Sequence, residues 1–390
     1  MADPTRTAST FAPPVMEARR WLDGVDFPPN RPLINVSQAA PVDPPTPGLR
    51  QAMADAAVND DAVHLYGPVL GLPALRAQLA ETTSQIYDGV VSADQVAITS
   101  GCNQAFAAAI STLCSEGDEV ILPTPWYFNH KMWLDMAGVA AVPLKTEADL
   151  LPDPNAAKTL ITERTRAIAL VSPNNPGGVE YPKSLLGAFR DLARAHGIAL
   201  IVDETYRDFH SQMGPPHDLF TGVDWSDTLI HLYSFSKAYR LTGHRVGAIV
   251  ASQARLAEVE KFLDTVAICP GQLGQIGALW GMQNLGQWLA GERDEILMRR
   301  RAIEDGFAVL AAKGWELMGV GAYFAYMRHP FETPSNVLAP ELVKTAGLLC
   351  LPGTMFHPSD TEAAKSELRI AFANLDSAGI TEMYGRLAAL

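Results

Sequence analysis

The chain has 390 residues, of which 48% are hydrophobic, so it is long enough to bury a large core and to form two domains. Its formal net charge is -13 and its longest basic run is Arg299–Arg301, so the phosphate backbone of a nucleic acid would be repelled. These features exclude nucleic-acid binding and predict a globular protein.

The cysteines are widely spaced, at Cys102, Cys114, Cys269 and Cys350. They show no C-x-x-C or Cys/His spacing, which predicts free thiols in a reducing compartment rather than disulfides or a metal site. Residues 1–14 are polar and lack the apolar core of a secretory signal. Apolar stretches elsewhere are interrupted before they reach membrane-spanning length. We therefore expect a soluble cytoplasmic protein without a metal or a membrane partner.

The N-terminal part of the chain is predicted to be an arm followed by short elements. Residues 1–14 are expected to form a loose arm, and Met16–Leu22 one short helix. Leu33–Pro41 is predicted to be a strand that enters a loop. Helical periodicity follows in Gly48–Val58 and, more clearly, in Leu72–Tyr87.

A strand, a glycine and a helix follow one another next. Gln95–Ser100 is a short apolar strand, and Gly101-Cys102-Asn103 opens a helix that ends near Cys114. At a helix N-terminus, unpaired N–H groups and the positive end of the helix dipole meet, so this pattern is typical of an anion site. A single glycine makes the pattern a weak signal by itself.

Three aromatic side chains come after the next predicted strand, Glu119–Leu122: Trp126, Tyr127 and Phe128. One of these rings could stack on a flat ligand and gain roughly 0.5–1.5 kcal/mol beyond the burial of its area. The pattern leaves open which ring does so. At least two of the three are expected in the hydrophobic core.

Polar side chains follow two further strands at their carboxyl ends. Ala167–Val171 is followed by Asn175, and Ile198–Val202 runs into Asp203, with Tyr206 three residues later. Open parallel sheets bind their ligands at this edge. Asn175 could also belong to a plain Asn-Pro-Gly-Gly turn, and Asp203 could cap a helix.

The segment Tyr233–Gly247 has the most specific pattern of the chain. Lys237 directly follows Ser234-x-Ser236, and Arg245 comes eight residues later. A lysine amine can condense with a carbonyl when burial or a neighbouring cation keeps part of it neutral. The serine hydroxyls and the guanidinium can donate to phosphate oxygens. Together they predict a site for an aldehyde cofactor that carries a phosphate.

The rest of the chain completes an α/β pattern. Strands and helices alternate over residues 95–250, which predicts a mostly parallel sheet with helices on both faces. Beyond this region we expect a strand at 246–251, helices at 253–266, 271–285 and 288–312, and a small antiparallel sheet from 323–327 and 349–353.

With these motifs the chain resembles, from about Ile34 to Ala373, the fold-type I pyridoxal-phosphate enzymes. It is most similar to the class I/II aminotransferases related to aspartate aminotransferase. The resemblance implies an α/β fold with a large cofactor-binding domain (45–287) around a seven-stranded type of sheet. It also implies a smaller α+β domain from both chain ends (15–44 and 288–390), an N-terminal arm (1–14), and pyridoxal 5′-phosphate as the cofactor.

The resemblance implies a role for each matching residue. Lys237 would bind the cofactor aldehyde and move the substrate proton. Asp203 would face the pyridine nitrogen, and Tyr127 would stack on the ring, with Trp126 as the alternative. Asn175 and Tyr206 would bind the ring oxygen. The cofactor phosphate would be bound by Gly101, Cys102, Asn103, Ser234, Ser236 and Arg245.

Three further residues are implied to contact the substrate or a second subunit. Arg369 would bind the substrate α-carboxylate in a bidentate way, for which lysine is a poor substitute. Ala39 stands where the family usually has a glycine that lines the substrate pocket. Tyr66 matches a tyrosine that reaches the cofactor phosphate of the neighbouring subunit, which would make the protein a homodimer. A tyrosine in a Gly/Pro-rich turn can also simply pack there.

The resemblance implies a transaminase that moves an amino group between an L-amino acid and a 2-oxo acid. A carbon-sulfur β-lyase is the alternative, because the same cofactor supports elimination. An effector-sensing domain of a transcription regulator would need an N-terminal winged helix, for which residues 1–32 are too short and too rich in proline. Thr265–Pro270 carries small and apolar side chains rather than a second arginine, which favours neutral or aromatic substrates.

Overall fold

The computed structural model describes residues 4–390. The α-helices are α1 Arg6–Ser9, α2 Pro14–Arg20, α3 Pro47–Asn59, α4 Pro73–Tyr87, α5 Cys102–Leu113, α6 Phe128–Ala137, α7 Pro154–Leu160, α8 Lys183–Ala195, α9 Phe235–Ala238, α10 Gln253–Ala267, α11 Gln272–Asn284, α12 Gly286–Gly306, α13 Ala308–Ala311, α14 Ser335–Thr345 and α15 Ser377–Ala388. The strands are β1 Ile34–Asn35, β2 Val96–Thr99, β3 Glu119–Thr124, β4 Ala140–Lys145, β5 Thr165–Val171, β6 Ala199–Asp203, β7 Leu229–Ser234, β8 Gly247–Val250, β9 Glu316–Gly321, β10 Phe324–Arg328, β11 Leu348–Leu349, β12 Leu351–Pro352 and β13 Glu367–Ile370.

A seven-stranded sheet organises the larger part of the molecule, in the order β2-β8-β7-β6-β5-β3-β4. Only β8 runs against the direction of the others. Side chains alternate between the faces, as the two-residue period of a strand requires. In β6, Ala199 and Ile201 pack with residues of α5 and α10, whereas Leu200 and Val202 pack with residues of α4 and α8. The predicted mostly parallel α/β fold is confirmed.

A smaller antiparallel sheet, in the order β12-β13-β10-β9, lies in the C-terminal part of the chain. The N-terminal strand β1 pairs in parallel with β11, with Ile34 opposite Leu348. Ile34 and Val36 share a hydrophobic cluster with residues of α14 and α15, such as Leu342 and Met383. Residues from both ends of the chain therefore bury one core. The predicted domain boundaries, after residues 14, 44 and 287, stay predictions.

Three local predictions differ from the structure. The arm is not loose from Arg6 to Ser9, where α1 packs against α6; Arg6 donates to the Ala137 carbonyl at 3.5 Å and pairs with Glu116. The helix expected at Met16–Leu22 begins at Pro14, because proline is favoured in the first turn of a helix. The single helix expected over 288–312 is divided at Phe307 into α12 and α13.

No helix within residues 4–390 has the length and apolar character needed to cross a membrane.

A buried polar cluster lies just after β6, around Glu204. Its Oε2 atom accepts hydrogen bonds from His217 Nε2 at 3.0 Å and from His231 Nε2 at 2.8 Å. The hydroxyl of Tyr87 donates to the same oxygen. All four side chains are buried, and Tyr87 stacks on the His217 ring with a centroid distance of 4.4 Å. The cluster therefore ties α4 and the segment after Asp203 to the sheet.

The charge of Glu204 depends on these partners. Burial alone would raise the pKa of its carboxyl, but the charge interactions and hydrogen bonds of His217, followed by those of His231, hold that pKa well below its usual value of 4.5. Burial lowers the pKa of His231. We therefore assign an ionised Glu204 that accepts hydrogen bonds from its three buried neighbours.

We expect Glu204→Gln to lower the free energy of unfolding by roughly 3 kcal/mol at neutral pH, because it removes the charge that satisfies buried donors. The folded-state pKa of Glu204 lies below the unfolded value near 4.5, so its stabilisation is present above that pH and is lost as pH falls further. Urea unfolding at several pH values measures both effects. The exposed Glu332→Gln is the control, and equal stability of the two variants at neutral pH would contradict the assignment.

Candidate functional site

A cavity of about 590 Å³ opens at the carboxyl ends of the parallel strands, bounded also by α2 and by β10 and β13. All but two of the predicted site residues line it: Ala39, Cys102, Asn103, Tyr127, Asn175, Asp203, Tyr206, Ser234, Ser236, Lys237, Arg245 and Arg369. The two others are Gly101 and Tyr66. Gly101 lies directly against the Arg245 guanidinium, whereas the Tyr66 side chain is 79% exposed and does not line this cavity.

Lys237 is held on α9, a single helical turn that begins where β7 ends. Ser234 caps this turn, and its hydroxyl accepts from the Ser236 N–H at 3.3 Å. The Lys237 amine donates to the Ala39 carbonyl at 2.6 Å. Burial, together with the charges of Arg245 and Arg369, lowers the pKa of Lys237 to about 8. A useful fraction of this amine is therefore neutral near pH 8.

An anion site lies at the N-terminus of α5, where Gly101 is the N-cap and has no side chain to bond the first N–H groups. A Cβ added at Gly247 would come within 2.6 Å of the Cys102 nitrogen, so only glycine allows β8 to approach this turn. Arg245 donates to the Thr242 carbonyl at 2.9 Å and forms no ion pair within the described chain. N–H groups, hydroxyls and a free guanidinium fit a phosphate dianion.

Asp203 lies at the end of β6, where Thr205 and His130 each contact one of its carboxylate oxygens. One oxygen accepts from the Thr205 N–H at 3.0 Å and its hydroxyl at 2.7 Å. The other is 3.2 Å from His130 Nε2. Burial alone would raise the pKa of Asp203, but His130 and Thr205 outweigh it and lower that pKa below its ordinary value. This buried anion fits a protonated pyridine nitrogen.

His130 was not singled out in the sequence, although it orients Asp203. It lies on α6 and stacks on Phe106 with ring centroids 3.8 Å apart. The available signal was its place on α6, one helical turn after Tyr127, because residues three positions apart share a helix face. Its contact with Asp203 joins residues far apart in the chain, which no local pattern indicates.

Of the three aromatic candidates, Tyr127 lines the cavity with its hydroxyl fixed. That hydroxyl donates to Asn103 at 3.2 Å and accepts from Asn129 at 2.9 Å. Trp126 is buried in the hydrophobic cluster that contains residues of α5 and α10, and it does not line the cavity. Phe128 packs towards Phe356 and also borders the cavity. The geometry thus places the Tyr127 ring where a flat ligand could stack.

Arg369 lies on β13 and lines the cavity. It donates to Asn175 Oδ1 at 3.0 Å and to the Ser37 carbonyl, and no acidic side chain of the described chain pairs with it. Burial lowers the pKa of Arg369 to about 10. Its Nε is buried and has no hydrogen-bond acceptor among residues 4–390. A buried guanidinium with unused donors fits a carboxylate ligand.

The N-terminal residues contribute a part of the wall that the sequence did not indicate. Pro13, Pro14, Val15, Met16 and Arg19 line the cavity from α2 and the residue before it. Nothing in the local sequence connects α2 to strands that come more than 150 residues later. This placement depends on the tertiary packing of the N-terminal segment alone.

The family model, the relatives and the solved structures that match this chain all indicate one family. Residues 31–387 match the family model described as aminotransferase class I and II. An aromatic aminotransferase of Arabidopsis thaliana is 28% identical over 341 residues, 85% of this chain and 82% of that protein. An aromatic amino acid aminotransferase of Rhodococcus jostii is 31% identical, over 79% of this chain and 80% of its own. The solved aspartate aminotransferase of Thermus thermophilus has the same fold, with a TM-score of 0.88, 22% identity and full coverage of both chains.

Proposed function

The chain belongs to the aminotransferase class I and II family and is a transaminase, and we propose that its cavity binds pyridoxal 5′-phosphate. We propose further that it moves the amino group of a neutral or aromatic L-amino acid to a 2-oxo acid. Two relatives named as aromatic aminotransferases support this substrate class. The names of the matching relatives favour transfer over the elimination of a carbon-sulfur lyase.

One observation carries the proposal: the buried Lys237 amine, with its pKa near 8, lies in one cavity with a phosphate-type site and a buried carboxylate. The phosphate site would consist of the α5 N-terminus, Ser234, Ser236 and Arg245. When bound, pyridoxal phosphate supplies an aldehyde that condenses with amines and a cationic ring that withdraws electrons from the substrate Cα. The residues of the cavity fit each part of this group.

The side chains around the reacting centre have separate tasks. Lys237, once neutral, could take the proton from the substrate Cα as a general base and then, as a general acid, give it to the former aldehyde carbon of the cofactor. Asp203 would keep the ring nitrogen of a bound cofactor protonated, because an adjacent anion favours the charged form. His130 and Thr205 hold the Asp203 carboxylate in place. Tyr127 and Tyr206 would contact the ring and its oxygen.

Substrate orientation would come from Arg369 and the apolar wall. Arg369 can bind the α-carboxylate through two parallel N–H donors, which fixes the direction of the breaking Cα–H bond. Asn175 accepts from Arg369 at 3.0 Å and helps to orient it. Val15, Met16 and Phe324 line the same cavity and could pack against an aromatic substrate side chain.

We expect the purified protein to convert L-phenylalanine and 2-oxoglutarate to phenylpyruvate and glutamate, and Lys237→Ala to lower the rate at least ~10³-fold, because the nucleophile and proton carrier are lost. A coupled assay for glutamate measures the rate. The exposed Lys313→Ala is the control for loss of a positive charge. A normal rate for Lys237→Ala would contradict the assignment, and release of ammonia without a 2-oxo acid would indicate a lyase.

A second subunit is proposed to complete the site. The side chains of Leu65, Tyr66, Val266 and Ile268 are exposed, although all are large and mostly apolar. The segments that carry them lie together, because Gln272 donates to the Leu65 carbonyl at 3.0 Å. Ile268 has a φ of 62°, which is rare for a β-branched residue and occurs where surrounding structure or function demands it. We propose that this apolar patch packs against a second copy.

We expect Tyr66→Phe to weaken cofactor binding by about 10-fold, because it removes a hydrogen bond to a charged phosphate of the partner's site. Co-expression of Tyr66→Phe with Lys237→Ala should produce mixed dimers in which the intact Lys237 site again receives a Tyr66 hydroxyl. Cofactor titration of the purified mixed dimer then restores wild-type affinity at that site. Persistent weak binding in the mixed dimer would show that Tyr66 acts within its own subunit.

A further inference from the structure

Arg19 is a cation on the cavity wall that no acidic side chain of the described residues neutralises. It lies near the end of α2, exposed to solvent, and donates to the Gln38 side-chain oxygen at 2.8 Å. No ion pair within residues 4–390 includes Arg19. Its neighbour Arg20 differs, because it pairs with Glu17 at 2.7 Å and does not line the cavity. Arg19 therefore keeps most of its N–H donors for a ligand.

Three cationic side chains donate hydrogen bonds to three consecutive residues, 37–39. Arg369 donates to the Ser37 carbonyl, Arg19 to the Gln38 side chain, and the Lys237 amine to the Ala39 carbonyl at 2.6 Å. Ser37, Gln38 and Ala39 are consecutive in the chain, and their Cα atoms are about 3.8 Å apart. The segment thus arranges two guanidiniums on the same cavity as the reactive amine.

We propose that Arg19 is a specificity-determining residue that binds the distal carboxylate of a dicarboxylic 2-oxo acid, the amino acceptor of the reaction. Arg369 would bind the α-carboxylate of the same molecule. The inference rests on the proposed transaminase site and adds the residue that would recognise the second carboxylate of its acceptor. Charge-assisted bonds from a planar guanidinium suit a carboxylate, whereas the neutral Gln38 amide is a weaker partner that a carboxylate can replace.

The same helix explains how one cavity can take two kinds of substrate. Val15 and Met16 present apolar side chains to the cavity, and Arg19 lies one turn further along α2. An aromatic amino acid would pack against Val15 and Met16 and leave Arg19 hydrogen-bonded to Gln38. A dicarboxylic acceptor would use the guanidinium instead. The second arginine that the 265–270 segment lacks is therefore supplied by the N-terminal helix.

The decisive experiment compares two acceptors of equal chain length, 2-oxoglutarate and 2-oxopentanoate, with L-phenylalanine as the donor and the holoenzyme of wild type, Arg19→Gln and Arg20→Gln. We expect Arg19→Gln to lower kcat/KM for 2-oxoglutarate by about 10- to 100-fold, the range for one charged hydrogen-bonding partner. For 2-oxopentanoate the value should stay within about twofold, and Arg20→Gln should change neither acceptor by more than that, since exposed pairs contribute little.

Equal losses for both acceptors, or no loss for either, would overturn the role of Arg19. A binding measurement without turnover separates this outcome from a failure of the proposed function. The unreactive glutarate should bind the holoenzyme about 10-fold more tightly than pentanoate, and Arg19→Gln should remove that preference. If glutarate is not preferred, the inference is wrong even when transamination proceeds. If the preference depends on Arg19 but no amino group is transferred, the proposed function fails and the carboxylate site stands.

Discussion

The burial of one amine beside two guanidiniums is the constraint on which the rest of the site depends. A buried lysine next to Arg245 and Arg369 loses much of its preference for a proton, so the pKa of Lys237 falls to about 8. Neither guanidinium is neutralised by an acidic residue of the described chain, so both can bind anions. The binding of a phosphate at one and a carboxylate at the other would complete the charge balance of the cavity.

Two adjacent carboxylates at the end of β6 have different surroundings. Asp203 lines the cavity, where His130 and Thr205 fix its oxygens. Glu204 is bonded to buried histidines away from the cavity and anchors the segment that follows the strand. Because consecutive residues of an extended chain point to opposite sides, one dipeptide places one carboxylate in the cavity and the other among buried histidines.

The periodic parts of the sequence were sufficient to predict the α/β fold, since apolar strands such as Ala167–Val171 alternate with amphipathic helices. Residues at strand ends, such as Asp203 and Asn175, were found because parallel sheets place their ligands there. The sequence did not indicate His130 or Arg19. Their contacts depend on how α6 and α2 pack against distant segments, and no periodicity or short motif encodes such packing. The helical start of the arm was missed because α1 is held by tertiary contacts of Arg6.

The account depends most on the identity of the lysine that binds the cofactor. The direct measurement is reduction of the protein with borohydride after incubation with pyridoxal 5′-phosphate, followed by digestion and mass spectrometry of the peptides. The account predicts a single pyridoxyl group on the peptide that contains Lys237, with loss of the visible absorbance band on reduction. A modified peptide from any other lysine, or no modified peptide at all, would contradict it.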